Sequence, residues 1–436
     1  MKIKFFLISI VLLSFAGLKA QTITTLDAGV RFGGFMPQCI SPSGKYVGGS
    51  SFAGMMFMSD WANNQNLVID ESYGSVYENY GSEIRGISDN GIGVGFDDKG
   101  AVIVDFNNAG YKVLLGIDPS KNINDVLASA ITADGSLIVG SVIKDSYNPV
   151  PVYWENEELK YLPLPEDGDL GFKPSGYSAQ QVTADGSIIM GYAVDNFSTY
   201  PMVLWYRQDD GSYTCDPVFK GYFEAGFGSK EFLRFKGLSI NRSGTAIIMK
   251  VQYNTDDPEF FGLNLLALYT IADKNLKVIH VDGKHGIERD VDFDVWFNGI
   301  ADNNTVVGWY TPSTGERYPF IMYGDELQPT KLSLAFPNLD KLEEYDDNME
   351  HALSGISADG RYICGMGTAF NETFNTYIYE GYVIDTLNEA GVSSVNPDSM
   401  GSNKYYGIDG MNRENPVKGI NIIRCPDGST KKVLIK

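Results

Sequence analysis

Histidine and cysteine are scarce in this chain, and the chemistry they carry is scarce with them. Three histidines, His280, His285 and His351, occur in 436 residues. No Ser-His-Asp arrangement and no paired-histidine metal spacing surrounds them, so hydrolysis by a serine nucleophile or a bound zinc finds no support. Four cysteines, Cys39, Cys215, Cys364 and Cys425, lie far apart with no CxxC. That excludes a thiolate metal site and a disulfide framework, and leaves packing as the ordinary role of each thiol. Basic residues are outnumbered 34 to 55, giving a net charge of −21. Such a field repels phosphate backbones and removes nucleic acid as a partner. Gly-rich stretches such as Gly91-Ile-Gly93-Val-Gly95 have no helix after them and are not phosphate loops.

Long apolar runs are also missing after the first twenty residues. There, Lys2 and Lys4 precede an apolar run from Phe5 to Leu18, and Lys19-Ala20 leads into Gln21. The run is shorter than the about 20 residues a bilayer span needs and reads as a secretory signal, residues 1–20. No cysteine follows it, so a lipid-anchored start is not expected. The mature chain carries −24 once Lys2, Lys4 and Lys19 are lost. It is expected outside the cell or on its outer surface, with the periplasm as the alternative, and without a transmembrane segment.

What the chain does contain is repetition. Between residues 40 and 360 one phrase recurs seven times: a β-branched residue, three small or polar residues, then Gly or Asn. The copies are Ile40–Gly44, Ile87–Gly91, Ile131–Gly135, Val182–Gly186, Ile240–Gly244, Ile300–Asn304 and Ile356–Gly360. Successive fifth residues lie 47, 44, 51, 58, 60 and 56 apart, the spacing of propellers and other repeat arrays.

Residues 128–164 show one unit. Ala128–Ile131 is extended, and Thr-Ala-Asp-Gly135 supplies the positive φ and side-chain bonds of a tight turn. Leu137–Val139 returns, Val150–Trp154 is a third strand, and Leu159–Leu162 a fourth. Third strands recur at Met56–Met58, Ala101–Val104, Met202–Trp205, Leu265–Tyr269, Pro319–Met322 and Tyr382–Ile384. Fourth strands recur at Leu67–Ile69, Tyr111–Leu115, Tyr213–Val218, Leu276–Val281 and Thr330–Leu334. Helical periodicity is nowhere sustained. The fold class is therefore all-β: a seven-bladed propeller of four-stranded antiparallel blades. The residue before each β-branched one is small, as crowding near an axis demands, except Gln181. The seventh copy lacks a fourth strand, while Thr22–Leu26 is a strand without a blade. The N-terminal strand is expected to complete the last blade and remove the open edges.

The unit Ile131-Thr-Ala-Asp-Gly-Ser-Leu-Ile-Val-Gly140 with Val152-Tyr-Trp154 resembles the HAF-type extracellular repeat, as does Ile300–Gly308 with Pro319-Phe-Ile321. The likeness covers about residues 35–385, although the His-Ala-Phe triplet itself is absent. It implies a propeller-like secreted protein and no common activity. Tyr405–Gly410, Val417–Ile423 and Gly428–Lys436 resemble the closing part of the C-terminal sorting domains of type IX secretion, with Asn421 where an aromatic is usual. That resemblance implies the secretion machinery as a partner. The expected division is signal 1–20, propeller 21–390, linker 391–402 and a C-terminal β-module 403–436.

Antiparallel order places the short strand-one-to-two and three-to-four turns on one face. The long segments 163–178, 192–200, 219–236, 252–263, 282–297, 309–318, 335–352 and 366–379 then fall on the other. Loops on a rigid scaffold carry function, so the long-loop face is the candidate. Its aromatics mark a ligand surface for a sugar ring or a peptide: Phe197, Tyr222, Phe227, Trp296, Trp309, Tyr310, Tyr345 and Phe370. Asp290, Asp292 and Asp294 would align three carboxylates on one side of a strand, a set that could hold Ca²⁺ but has no EF-hand glycine or terminal glutamate. A solvated acidic loop is the simpler reading, and no other cofactor is expected. The leading expectation is a protein that binds an extracellular glycan or protein through the long-loop face. The alternatives are a polysaccharide hydrolase or lyase using axial carboxylates, and a structural surface protein.

Overall fold

The computed structural model describes residues 21–26, 34–51, 54–69, 82–97, 99–114, 126–143, 148–166, 170, 173–194, 202–218, 232–253, 264–289, 291–312, 315–346, 351–372 and 375–386. It also describes the backbone of four strands between 404 and 435. Residues 1–20, with the expected signal, lie outside the described residues.

The chain forms seven four-stranded antiparallel sheets in a ring, a β-propeller. Blades one to six take their strands in order, starting at Phe35, Glu83, Val126, Gly176, Phe232 and Asp292. Blade seven pairs His351–Ile356, Tyr362–Asn371 and Thr376–Asp385, and its outer strand is Thr22–Leu26. The closing register runs from Thr22 opposite Asp385 to Leu26 opposite Gly381, as the orphan strand predicted. Alternating side chains put one apolar cluster at each of the seven blade junctions. At the closing junction Leu26, Phe35, Ile40, Val47, Phe57, Cys364 and Val383 pack together, with Phe35 stacked on Phe57 at 3.9 Å.

The repeated phrase builds a turn with three linked parts. Its fifth residue has positive φ throughout, between 70° and 81° at the six glycines and 62° at Asn304. In six copies the side chain of the second residue accepts the N–H that opens strand two, for example Leu137 N–H on Thr132 Oγ1 at 3.1 Å; the sixth has Ala301 there. The fourth, where it is Asp, accepts from two residues on, as Ser136 N–H does on Asp134 Oδ1 at 3.0 Å.

The third residue joins the blades. Asp89, Ala133 and Ala184 each donate a backbone N–H to the carbonyl of the next blade's third residue, Ala133, Ala184 and Arg242, at 2.8, 3.0 and 2.8 Å. Asp302 donates to Ala358, and Ala358 to Pro42, both at 2.8 Å. Two junctions remain. Pro42 has no N–H, and there Ser43 N–H donates to Asp89 Oδ1 at 2.7 Å. Between blades five and six Ser243 N–H donates to Asp302 Oδ1 at 2.7 Å. Every junction thus carries one hub bond.

A bulge accounts for the glycine within strand two. In six blades the inner strand slips one residue just before the phrase, as between Ala128 and Ala130. The slip aims a carbonyl at strand two: a Cβ on Gly49, Gly95, Gly140 or Gly191 would stand 1.9–2.2 Å from that oxygen. Blade five has Met249 there, and the glycine sits opposite it as Gly237. Gln181, which looked anomalous, bridges blades four and five: Nε2 donates to the Leu238 carbonyl at 2.8 Å and Oε1 accepts from Ile240 N–H at 3.0 Å.

Two expectations need correction. The strand expected over Thr330–Leu334 ends at Lys331, and Leu332–Ala335 is a helical turn. Leu332 and Phe336, four apart, are both buried there, and Pro337 follows. The segments 335–352 and 366–379 are not simple loops. The first holds a helix over Asp340–Asp346; the second is the end of the ten-residue strands Tyr362–Asn371 and Thr376–Asp385.

The chain divides into two compact units after Thr386. In the second, Lys404–Gly407, Asn412–Arg413, Gly419–Arg424 and Thr430–Ile435 form a separate four-stranded antiparallel sheet.

Substituting Gly95 or Gly140 by alanine should cost about 2–4 kcal/mol, as backbone must move to admit the methyl group. Gly110→Ala, whose nearest neighbour would be a side-chain carbon at 3.4 Å, should change stability by less than about 0.5 kcal/mol. Urea unfolding midpoints of the three variants test this.

Candidate ligand-binding site

Blade six departs from the others on its inner strand. Asp292–Asp294 pairs with Trp309–Thr311, and pairing resumes only at Ile300 opposite Val306. Between those two points the inner strand advances six residues while its partner advances three. The one-residue bulge of the other blades has become a loop, Val295–Gly299, closed by Gly299 N–H on the Trp296 carbonyl at 3.0 Å. Neighbouring blades anchor it. Ser239 Oγ donates to the Phe297 carbonyl at 2.7 Å, and Ile356 N–H to the Asn298 carbonyl at 2.7 Å.

That loop seats Trp296 against Trp309. Their ring centroids are 5.8 Å apart at 58°, and both residues are half-buried. Trp309 lies near the end of strand two, toward the 312–317 connection of the long-loop face. The exposed Arg317 places its guanidinium carbon 5.8 Å from the Trp309 ring. The arrangement is an aromatic corner with a cation on one wall, suited to an apolar ring face that carries polar groups at its edge.

The other expected residues fall into three groups. Phe197, Tyr222, Phe227 and Asp290 lie outside the described residues. Tyr310 and Tyr345 are buried, with 4% and 0% of their surfaces exposed. Tyr310 packs on Phe293 and Tyr318, with its hydroxyl donating to the Gly286 carbonyl at 3.2 Å. Tyr345 stacks on Tyr382 and donates to Glu380 at 2.5 Å. Phe370 is exposed on the blade-seven ribbon, directly opposite Tyr377, with ring centroids 5.4 Å apart. Of the carboxylates, Asp292 pairs with Lys250 at 2.5 Å and Asp294 accepts the Val295 N–H at 3.0 Å. Among the described residues no three His, Cys, Asp or Glu side chains are grouped to hold a metal ion. Cys39 and Cys364 are buried free thiols.

A polar network that no residue spacing announces lies beneath the same face. His351 Nδ1 lies 2.7 Å from Asp346 Oδ1, and its Nε2 lies 2.6 Å from the Tyr382 hydroxyl. Lys331 Nζ and Ser333 Oγ reach Asp346 Oδ2 at 3.0 and 2.8 Å. This chain of acid, imidazole and hydroxyl is enclosed: His351 and Tyr382 are 1% and 0% exposed. Burial drives the Tyr382 hydroxyl well above the usual tyrosine range. The network fastens the 340–346 helix to blade seven.

No protein-family model and no curated protein matches the chain. Solved structures are similar to it as folds. TolB from Acinetobacter baumannii matches at 12% identity and a TM-score of 0.39, over 66% of this chain and 63% of that one. A prolyl endopeptidase matches at 10% and 0.47, over 93% and 54%. The GH74 xyloglucanase from Xanthomonas campestris matches at 11% and 0.43, over 82% and 55%. This chain spans less than two thirds of each, and the likeness is one of fold alone. No helix of the described residues is long and apolar enough to cross a membrane.

The network sets an acid sensitivity. Burial lowers the His351 pKa below its ordinary 6.5, although Asp346 pulls it up. Burial raises the Asp346 carboxyl, but bonds from His351, Lys331 and Ser333 hold it below the ordinary 3.8. For both groups the unfolded chain takes up the proton first. Stability is therefore complete above pH 6.5 and falls as pH drops through the histidine window, then again below about 3.8. Denaturant midpoints between pH 7 and 5 should decline in the native protein and be flatter in His351→Gln.

Proposed function

We propose that this protein binds an extracellular glycan or protein ligand through the long-loop face of the propeller, with Trp296 and Trp309 as the principal contacts. One observation carries the reading: blade six alone abandons the inner-strand geometry its neighbours share, and the departure seats Trp296 against Trp309. A break in an otherwise uniform rule marks a functional site more often than a packing accident. Phe370 and Tyr377 on the blade-seven ribbon form a second exposed aromatic pair that extends the contact.

Phe197, Tyr222 and Phe227 would belong to the same face through the connections that hold them. Export of the chain through the residue 1–20 signal, and engagement of a secretion machinery by residues 403–436, complete the proposal. The four-stranded sheet over 404–435 supports a folded tail, and the division after Thr386 supports a separate C-terminal unit.

A glycan-array screen of the mature chain tests the sugar reading, and pull-down from an extracellular protein fraction tests the protein reading. Trp309→Ala should weaken the retained ligand at least tenfold, about 1.4 kcal/mol, and Trp296→Ala similarly. Retention unchanged in both variants would exclude the blade-six corner.

A further inference from the structure

Arg242 is the third residue of the fifth phrase, a place held elsewhere by Pro42, Asp89, Ala133, Ala184, Asp302 and Ala358. Its carbonyl serves the hub by accepting the Ala184 N–H at 2.8 Å. Its side chain reaches inward. Nη1 donates to the Val182 carbonyl of blade four at 3.4 Å, and Nη2 to Asn298 Oδ1 of blade six. The guanidinium also lies within electrostatic reach of Cys39 of blade one, a buried neutral thiol, and of Asp89 of blade two. Blades one and two stand across the ring from blade five, so the cationic end of Arg242 lies in the axial space.

No carboxylate among the described residues touches that cation directly. The two acids that feel its charge, Asp89 and Asp302, each have Oδ1 tied to a backbone N–H as a hub substitute. Of the five donors of a guanidinium, two are used here and part of the residue is open to solvent. Desolvation lowers its pKa below the ordinary arginine value. A charge removed from water without a partner is costly, and an arriving carboxylate would offset that cost with a charge-assisted, forked contact.

We propose that the axis of the propeller is a binding site for a carboxylate, free or borne by a sugar ring, with Arg242 as the residue that holds it. Asn298 is a positioning residue: it orients the guanidinium and belongs to the loop that also seats Trp296. The site does not rest on the blade-six aromatic corner.

Titration calorimetry of the full chain tests it, with acetate against acetamide and D-galacturonate against its methyl ester. Acetate binding alone would identify a small free acid; galacturonate binding would identify an acidic sugar. In either case the neutral partner should not bind, and Arg242→Gln should weaken the acid at least tenfold. Arg242→Lys, which keeps the charge and loses the fork, should fall between. Lys112→Gln, which removes an exposed cation on the outer strand of blade two, should leave acid binding within twofold of native. If Arg242→Gln fails to fold, phenylglyoxal labelling of the native chain replaces it, with the acid slowing modification of Arg242 and the neutral compound not. Binding that ignores charge, binding untouched by Arg242→Gln, or no acid binding together with no protection of Arg242 would overturn the proposal.

Discussion

The structure depends on a hub hydrogen bond made at each of seven junctions, at five of them between the third residues of neighbouring phrases. A blade is a flat, twisted sheet that can pack on its neighbour at many offsets, because apolar contact has no direction. A hydrogen bond does have direction. By fixing one atom pair at every junction near the axis, the hub sets the height and angle of each blade, and the seven apolar clusters then fill at a single register. The two junctions that depart from the pattern show how firmly it is kept. Where proline removes the donor, the next residue's N–H finds the Asp89 carboxylate; Asp302 plays the same part after Arg242. The geometry survives although the atoms change.

Much of this was legible in the sequence because it is local. Asp-Gly turns, alternating strands and the orphan strand at Thr22–Leu26 are short-range signals, and the propeller and its closure follow from them. The small residues before each phrase were legible as crowding. Gln181 was not, since its amide is satisfied by main-chain groups of another blade that no spacing reveals. One available sign was overlooked: Pro42 and Asp89 occupy the same place in successive phrases, and a missing donor beside an added acceptor points to an exchange of roles.

The gathering of the long connections on one face was legible, but which side chains meet solvent there was not. Whether an aromatic in a connecting segment meets solvent depends on what else comes to rest there. Tyr345 lies on a helix too short to show a period, and that helix turns the ring onto Tyr382 and under Glu380. Tyr310 is on a strand and faces blade five's core. Trp296 and Trp309 stay partly exposed, and both sit where the inner strand widens into the Val295–Gly299 loop.

The borrowed outer strand of blade seven has a consequence for assembly in time. Thr22–Leu26, early in the chain, is the last strand of the ring to find its neighbour, because Gly381–Asp385 must exist before it can dock. Until then six complete blades face a gap, with an unpaired edge and an unfilled junction on either side. Ordering of this kind makes the final docking an entropically expensive ring closure, governed by the longest sequence separation in the fold. A chain held extended until its last repeat emerges would meet that requirement without risk of an early, incomplete wheel pairing with a second copy.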